Sequence, residues 1–252
     1  MFRLFPRRKP QSKPLAAVPE GVRVYAVGDI HGRLDLLDVL LAQIAADEAT
    51  RGGKPSQIIF LGDLIDRGPE SAQVVDRLMA LEKRRPDTRF LLGNHEEVFL
   101  AACAGDLKML KFFNRIGGRE TILSYGITSR EYNDLDYPEL LDLLVARVPQ
   151  EHRTFMERFE DLIVIGDYAF VHAGIRPDAP LADQQAKDLR WIRGEFLDFT
   201  GTHEKVIVHG HTIADEVEER PHRIGLDTGA YVSGRLTAMG FEGTERWVLT
   251  AT

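Results

Sequence analysis

Three short segments of the chain combine glycine with residues that bind metals or carry protons. GDIHG occupies 28–32, GDLIDRG occupies 62–68 and GNHE occupies 93–96. Each follows an apolar run typical of a buried β-strand, and α/β proteins place their chemistry in the loops after such strands. The three segments therefore indicate one polar cluster at the carboxyl ends of neighbouring strands.

Two later apolar runs also end in histidines, so five predicted strand ends carry the same chemical types. The candidates are Asp29, His31, Asp63, Asp66, Asn94, His95, His172, His209 and His211. Imidazole, carboxylate and amide ligands together suit Mn, Fe or Zn better than Ca, which prefers oxygen ligands alone. The set is too large for one tetrahedral ion, whereas two ions about 3.5 to 4 Å apart that share a carboxylate would use it. Such a pair activates water and stabilises the entering and leaving oxygens of a phosphoryl displacement.

Strands and helices that position these residues alternate along the first part of the chain. Apolar runs predict strands at 22–27, 58–61 and 89–92. Apolar residues at helical spacing predict a helix over 33–50, and a second helix is expected to begin near Pro69. This β-α-β-α-β order favours parallel strands joined by right-handed crossovers. The three segments should then emerge at one edge of one sheet.

The rest of the chain adds two more strands that lead to candidate residues. The charged run at 82–87 is predicted to be a solvated turn, and 97–160 is predicted to form a mainly helical cap or shoulder beside the site. A hairpin over 162–171 ends at His172, and an apolar strand at 206–208 ends in HGHT. The glycine-rich remainder is expected to form closing antiparallel strands.

Composition limits the classes of protein to which the chain can belong. Its 252 residues carry 32 Lys and Arg against 39 Asp and Glu, and this net charge of −7 argues against a protein that coats nucleic acid. A single cysteine, Cys103, excludes an internal disulfide framework and suits a reducing, cytoplasmic location. No apolar stretch approaches the roughly 20 residues that cross a bilayer, so we expect a soluble protein. One catalytic domain is expected over 20–252.

Residues 1–19 differ from the rest of the chain. They contain four prolines and no acidic residue, and their basic residues are Arg3, Arg7, Arg8, Lys9 and Lys13. Such a segment cannot bury enough apolar surface to offset its ordering entropy, which predicts a disordered tail. The alternative is a weak contact with an anionic membrane surface through Phe2, Leu4 and Phe5 beside the basic cluster.

The ordered set GDIHG, GDLIDRG, GNHE, HAG and HGH resembles the signature of the PPP-type metallophosphatases. These form the branch of the calcineurin-like superfamily that holds the serine/threonine phosphoprotein phosphatases and their bacterial and phage relatives. The resemblance runs from Val24 to about Gly229. It implies a layered α/β fold, with a central β-sandwich of mixed sheets flanked by helices and a dinuclear metal site at the carboxyl ends of the strands.

The resemblance also implies roles for individual residues. Its metal ligands would be Asp29, His31, Asp63, Asn94, His172 and His211. Asp63 would bridge two divalent ions, with Mn²⁺ preferred over Fe or Zn, and a hydroxide between them would attack phosphorus. The catalytic residues would be His95 as general acid, Asp66 as its orienting carboxylate, and Arg67 and Arg193 as phosphate-binding arginines. His209 would support the site without binding metal.

Physical chemistry agrees with these implied roles. An alkoxide leaving group needs a proton, and an imidazole beside a carboxylate has a pKa near or above neutral, which suits His95 as the acid. Two fork-shaped guanidinium groups match the equatorial phosphate oxygens that carry the developing charge.

Phosphorylated proteins and small phosphoesters are both possible substrates for such a site. A serine/threonine phosphoprotein phosphatase is the first hypothesis, and a symmetrical diadenosine tetraphosphatase of the same fold is the second. The resemblance implies Ala in place of Asp66 and Asp in place of Glu96 for those tetraphosphatases, so the chain favours the phosphoprotein side. A third hypothesis, an inactive binding module, predicts a lost ligand or a lost His95, and the sequence has neither.

Overall fold

The computed structural model describes residues 15–52, 54 and 56–252. Its first sheet holds β1 (Arg23–Val27), β2 (Ser56–Phe60), β3 (Arg89–Phe90), β9 (Leu236–Glu242) and β10 (Glu245–Ala251). The strand order is β10-β9-β1-β2-β3, with β1, β2 and β3 parallel and with β9 antiparallel to both β1 and β10. The parallel strand pairing predicted for the first part of the chain is therefore confirmed.

A second sheet contains β4 (Ile163–Ile165), β5 (Tyr168–Phe170), β6 (Val206–His209), β7 (Glu218–Glu219) and β8 (Arg223–Gly225). Its order is β4-β5-β6-β8-β7. The predicted hairpin corresponds to antiparallel β4 and β5, while β5, β6 and β8 run parallel. The closing strands were expected to be antiparallel. β8 is antiparallel to β7 but parallel to β6, so the expectation is wrong for the pairing of β8 with β6.

The core between the two sheets explains why the parallel strands are apolar on both faces. Val24 and Ala26 of β1 pack in one cluster with Phe170, Val208 and other residues of the second sheet. Tyr25 and Val27 lie in another cluster, because side chains of a strand alternate between its two faces. Both faces of β1 are thus buried, one against a sheet and one against helices.

Helices cover the outer faces of this sandwich. They are α1 (Leu34–Thr50), α2 (Ser71–Arg84), α3 (Asn94–Cys103), α4 (Leu107–Ile116), α5 (Gly118–Ser124), α6 (Ser129–Asp134), α7 (Tyr137–Arg147), α8 (Gln150–Glu157), α9 (Ala186–Trp191), α10 (Gly194–Leu197) and α11 (Ala230–Ser233). Leu37 and Leu40 of α1 pack beside β1, and Leu189 and Phe196 pack beside β5 and β6. The result is the α/β layered fold with mixed sheets flanked by helices that the resemblance implied.

The helical regions agree with the sequence in type and differ in their ends. Residues 97–160 are mainly helical, as predicted, although α3 already begins at Asn94. The run at 82–87 is not a turn throughout, because α2 continues to Arg84, where Lys83 and Arg84 favourably meet the negative end of the helix dipole. Within the described residues, no helix is both long enough and apolar enough to cross a membrane.

The amino-terminal segment packs against the sandwich earlier than predicted. Val18 is 3% exposed, and its N–H donates to the carbonyl of Gly243 over 3.0 Å. The N–H of Asp167 donates to the Ala17 carbonyl over 2.9 Å. The predicted end of the tail at residue 19 is therefore wrong, since residues 16–18 belong to the packed body. Both predictions for the basic tail, disorder and membrane contact, otherwise concern residues 1–14, which lie outside the described residues.

Candidate metal centre

Tight turns after the strands hold the candidate side chains in unusual backbone conformations. Within the described residues, the non-glycine residues with positive φ are His31, Asp63, Asp66, Arg67 and His211. Such conformations cost about 1–3 kcal/mol each and persist where the surrounding structure enforces them, often at functional sites. All five belong to the segments singled out in the sequence.

Asp63 lies at the centre of the cluster. Its Oδ2 is 3.7 Å from His31 Nε2 and 3.8 Å from His95 Nε2, while its Oδ1 is 3.4 Å from His172 Nε2. All four side chains are buried. The carboxylate therefore faces imidazoles from three different strand ends.

Two groups of side chains at this centre could each hold a metal ion. One comprises His31, Asp63 and His95, the other comprises Asp63, His172 and His211, and the ligand atoms within each group lie within 4.8 Å of one another. Asp63 belongs to both groups, as expected for a shared carboxylate. Asn94 lies beside the second group, because its Oδ1 is 3.0 Å from His172 Nε2.

Asp29 and His95 are arranged differently from the roles that the resemblance implied. His95, the implied acid, completes the first group, whereas Asp29 is in neither group. Asp29 Oδ2 accepts the N–H of His211 over 2.9 Å, and Asp29 Oδ1 has no hydrogen-bond partner within the described residues. Both predicted metal-site aspartates are nevertheless buried at the same edge of the sheets.

Backbone carbonyls fix the tautomers of two predicted ligand histidines. His31 Nδ1 is 2.8 Å from the Ile65 carbonyl, and His172 Nδ1 is 2.7 Å from the Leu61 carbonyl. Each Nδ1–H donates to its carbonyl, so each Nε2 faces the cluster, as in metal-binding histidines. Burial disfavours the charged imidazole of His172, but the charge of Asp63 raises its pKa, so a metal ion would displace its Nε2 proton.

Burial shapes the charges of the cluster in the metal-free chain. It lowers the pKa of His31 to about 3 and that of His211 to about 2, so both imidazoles are neutral at pH 7. Burial opposes ionisation of Asp63, but the neighbouring charges of His172 and His95 hold its pKa well below the usual value. The ionised carboxylate of Asp63 beside the neutral imidazoles of His31 and His211, with His211 Nε2 also unpartnered within the described residues, fits a divalent cation.

His95 and Asp66 form a buried proton-transfer pair. His95 Nδ1 is 2.5 Å from Asp66 Oδ2, and the hydroxyl of Thr121 donates to Asp66 Oδ1 over 2.6 Å. Burial disfavours the charged imidazole, yet the negative charge of Asp63 and the hydrogen bond to Asp66 raise the pKa of His95. The arrangement suits a general acid, because it keeps a proton on His95 near neutral pH.

Arg67 joins the two imidazoles on the open side of the cluster. Its Nη1 donates to His31 Nε2 over 2.9 Å, and its Nη2 lies 3.1 Å from His95 Nε2. The guanidinium carbon lies 4.7 Å from the centre of the Tyr231 ring. The fork of Arg67 is therefore directed at the cluster and braced by an aromatic face.

Arg193 lies at the rim of the site. It is exposed, and its Nη1 donates to the Thr212 hydroxyl over 3.3 Å, one residue after His211. The preceding turn is anchored to α3, because Trp191 Nε1 donates to Glu97 Oε2 over 2.5 Å. The second predicted arginine is thus near the cluster without joining its buried part.

His209 occupies a separate environment from His211. Its Nδ1 donates to the Gly210 carbonyl over 3.0 Å, and its ring packs edge-on against Phe196. It lines a cavity of about 260 Å³ with residues that include Arg223. His209 is in neither metal-ligand group, and its supporting role stays a prediction.

Glu96 supports the site in a way that sequence reasoning missed. Its buried carboxylate accepts backbone N–H groups of Asp63, Leu64, Ile65 and Gly93 over 2.9, 2.8, 3.3 and 3.1 Å. It thereby ties the turn after β2 to the start of α3. A glutamate three residues after a helix N-cap is a capping-box signal, which could have indicated the bond to Gly93 but not the bonds across to the neighbouring turn.

We expect Glu96→Gln to destabilise the metal-free protein by about 1–3 kcal/mol, because the amide offers one acceptor where four N–H groups converge. Urea unfolding at pH 8 measures this, since burial and the nearby charge of Asp63 raise the pKa of Glu96 to about 7. Glu139→Gln, in the exposed capping box of α7, is the matched control and should cost about 0.5 kcal/mol or less. Equal losses in the two variants would contradict the tie between the turns.

Comparison with known proteins adds independent evidence. Residues 22–233 match the family model of the calcineurin-like phosphoesterases. Serine/threonine-protein phosphatase 2 of Escherichia coli strain K12 is 30% identical over 224 residues, which cover 85% of this chain and 90% of that protein. The asymmetrical bis(5'-nucleosyl)-tetraphosphatase PrpE of Anoxybacillus flavithermus is 25% identical over 242 residues, which cover 85% of this chain and 89% of that protein.

A solved structure shares the fold over nearly the whole chain. It is assigned provisionally as a diadenosine tetraphosphatase, is 22% identical and superimposes with a TM-score of 0.61 over 95% of this chain and 99% of that chain. At this identity the likeness concerns the fold alone. The family model covers most of the chain and agrees with the cluster of histidines and aspartates, so the protein belongs to the calcineurin-like phosphoesterase family.

Proposed function

We propose that this phosphoesterase is a metal-dependent serine/threonine phosphoprotein phosphatase. It would act as one cytoplasmic catalytic domain, which includes residues 16–18 ahead of the predicted start at residue 20, with two divalent cations, Mn²⁺ first among them. The 30% identity to the E. coli serine/threonine phosphatase supports the substrate class. A buried, unpaired Cys103 accords with a reducing compartment.

The hydrogen bond between His95 and Asp66 is the observation that carries the proposal. Serine and threonine leave as alkoxides, which are strong bases and require a proton as the bond to phosphorus breaks. A polyphosphate leaving group is a weak base and gains little from such an acid. An acid kept protonated by Asp66 and Asp63 therefore favours alkyl phosphate monoesters.

Two cations would be held by residues that the structure brings to one edge of the sheets. Asp29, His31 and Asp63 would hold the first, and Asp63, Asn94, His172 and His211 the second. When bound, they would supply Lewis-acid activation of water and of the phosphoryl group. The His31 Nε2 lone pair would then be used for ligation, so Arg67 Nη1 would release it and become free to bind a phosphate oxygen.

The chain's own groups would complete the hydrolysis. Arg67 and Arg193 would bind two phosphate oxygens, with Arg193 reaching in from the rim. The oxygen of a water that gives up one proton to solvent would form a bond to phosphorus on the face opposite the leaving group, and His95 would regain its proton from solvent after the alcohol departs. The phosphorus–oxygen bond to the serine or threonine would break as His95 passes its Nε2 proton to the departing oxygen. Asp66 would stabilise the imidazolium before transfer.

A dinucleoside tetraphosphatase is the second candidate. Relatives of the asymmetrical PrpE type match most of the chain at 25% identity. The resemblance sets Asp66 and Glu96 against the symmetrical enzymes, and the argument against the asymmetrical ones is the alkoxide leaving group that the His95–Asp66 pair would serve.

Turnover of a substrate panel tests the two candidates. The protein is stripped of metal with a chelator, reloaded with Mn²⁺, Fe²⁺ or Zn²⁺, and assayed with phosphoserine, phosphothreonine and phosphotyrosine peptides and with diadenosine tetraphosphate. We expect Mn²⁺ to restore activity and kcat/KM for the phosphoserine or phosphothreonine peptide to exceed that for the dinucleotide by about 10-fold or more, roughly 1.4 kcal/mol of transition-state discrimination. Faster hydrolysis of the dinucleotide than of every peptide would favour the tetraphosphatase.

A further inference from the structure

Asp227 is a buried carboxylate at the same edge of the sheets as the metal-site candidates. It follows β8 after one residue, and β8 runs parallel to β6, whose end carries His209. The side chain is 3% exposed. The unexpected direction of β8 thus delivers an aspartate to the carboxyl ends of the parallel strands, where the sequence predicted only a closing antiparallel strand.

One oxygen of Asp227 has no partner. Its Oδ1 accepts the N–H of Gly229 over 2.9 Å, whereas Oδ2 has no hydrogen-bond partner within the described residues. Asp29 is in the same condition, because His211 N–H satisfies its Oδ2 and nothing in the described part of the chain satisfies its Oδ1. Each aspartate therefore has one buried oxygen that accepts no hydrogen bond within the described residues. This oxygen is available to a ligand.

The two aspartates are neighbours. The strand end before Asp29 packs on the chain at Asp227, since a Cβ on Gly28 would lie 3.5 Å from Asp227 N and collide with the Leu226 carbonyl. Both side chains are buried. The free oxygens thus belong to two buried carboxylates on adjacent segments of the chain.

A buried carboxylate without a partner is costly, and two together are costlier still. The nearby guanidinium of Arg67 does not pair with either carboxylate, because its Nη1 donates to His31 and its Nη2 lies against His95. A positive charge from outside the chain would satisfy both aspartates.

We propose that Asp227 is a further metal ligand, whose free oxygen binds the same divalent cation as Asp29. The proposal rests on the proposed metal-dependent function and adds a carboxylate that the motif set omits. It also accounts for Asp29, which lies outside both three-residue ligand groups.

Metal titration of Asp227→Asn tests the assignment. Metal-free protein is titrated with Mn²⁺ and followed by electron paramagnetic resonance and calorimetry. We expect one of two binding events to weaken by about 10- to 100-fold or more while the other is retained, and the spin-coupled signal of a two-manganese centre to appear only at higher Mn²⁺. Asp47→Asn is the matched control. Asp47 lies on α1 and accepts from Tyr25 and Trp247 of the first sheet, so its loss should leave both Mn²⁺ affinities unchanged.

Thermal unfolding distinguishes a metal-binding role of Asp227 from a role in which Asp227 only accepts the Gly229 N–H. Asn keeps an oxygen for the Gly229 N–H and removes only the charge, so metal-free Asp227→Asn should unfold at the same or a higher temperature than wild type. Mn²⁺ should then raise its Tm less, because stabilisation follows the affinity. Asp227→Ser, which also keeps an acceptor, replaces it should the Asn variant fail to fold.

Wild-type Mn²⁺ affinities in Asp227→Asn, or in Asp227→Ser where it replaces that variant, would overturn the assignment. A lower metal-free Tm with unchanged metal binding would also overturn it. A wild-type protein that binds two Mn²⁺ and hydrolyses no phosphoester would instead refute the proposed function. The titration of the Asp227 variants would still decide the ligand assignment in that case.

Discussion

Asp63→Asn is expected to lower kcat for every phosphoester substrate by on the order of 1,000-fold or more, because both proposed cations depend on this carboxylate. Asp63 is the residue common to the two ligand groups, and its two oxygens face different imidazoles. An amide keeps the shape of the side chain but removes the charge and one of the two strong acceptors. Loss should therefore be uniform across alkyl, aryl and dinucleotide substrates.

Bound metal and turnover are measured together in this test. Metal content after gel filtration should fall from two Mn²⁺ per chain to one or fewer in Asp63→Asn, in parallel with kcat. Asp106→Asn is the matched control, because Asp106 caps α4 through the N–H groups of Lys108 and Met109 and Asn caps helices equally well. An Asp63→Asn enzyme that keeps two Mn²⁺ and more than about a tenth of its activity would rule out the bridging role.

Local sequence patterns were sufficient to predict most of the site. Apolar runs followed by a ligand-type residue, directly or after a glycine, predicted the ends of β1, β2, β5 and β6, and the structure brings Asp63, His31 and His172 from three of these ends together. The signal is local, because a strand end and its turn are encoded within about ten residues.

The direction of a strand within a sheet is not encoded by such a local signal. β8 is three residues long, and nothing in Arg223–Gly225 distinguishes a parallel from an antiparallel partner.

Residues that brace the site also escaped prediction, for the same reason. Thr121 donates to Asp66 from 55 positions away along the chain, and Glu96 accepts from Asp63 across 33 positions. Neither contact leaves a periodic or motif signal in the sequence.

The predicted tail extended too far, to residue 19, for a related reason. Val18 ends a run of only four apolar residues, 15–18, before Pro19, and its burial and its contact with the Gly243 carbonyl show that it is packed.

His95→Asn should affect substrates according to the basicity of their leaving groups. For phosphoserine peptides kcat should fall by about 100- to 10,000-fold, the usual contribution of a general acid. For an aryl phosphate such as p-nitrophenyl phosphate the loss should be about 10-fold or less, since a phenolate with a low pKa departs without a proton. Comparable losses with both substrates would show that His95 does not act as the acid.

The pH dependence gives an independent readout of the same residue. A general acid works only in its protonated form, and the charge of Asp63 and the bond to Asp66 raise the pKa of His95 despite its burial. Activity toward phosphoserine should therefore be retained through neutral pH and decline as the pH rises past that raised pKa. His95→Asn should lose this alkaline decline, because no titrating acid is left.

Asp66→Asn separates the proton carrier from the residue that holds it. It keeps the imidazole of His95 and removes the carboxylate charge 2.5 Å from Nδ1, so the alkaline decline should persist and move to lower pH. A structural role for Asp66 alone would lower kcat at all pH values and leave the position of the decline unchanged. Only a positioned acid couples the charge of Asp66 to both the pH profile and the leaving-group dependence. The His95 and Asp66 variants together therefore determine whether the pair protonates the departing alkoxide. The assignment as a phosphoprotein phosphatase depends on that protonation.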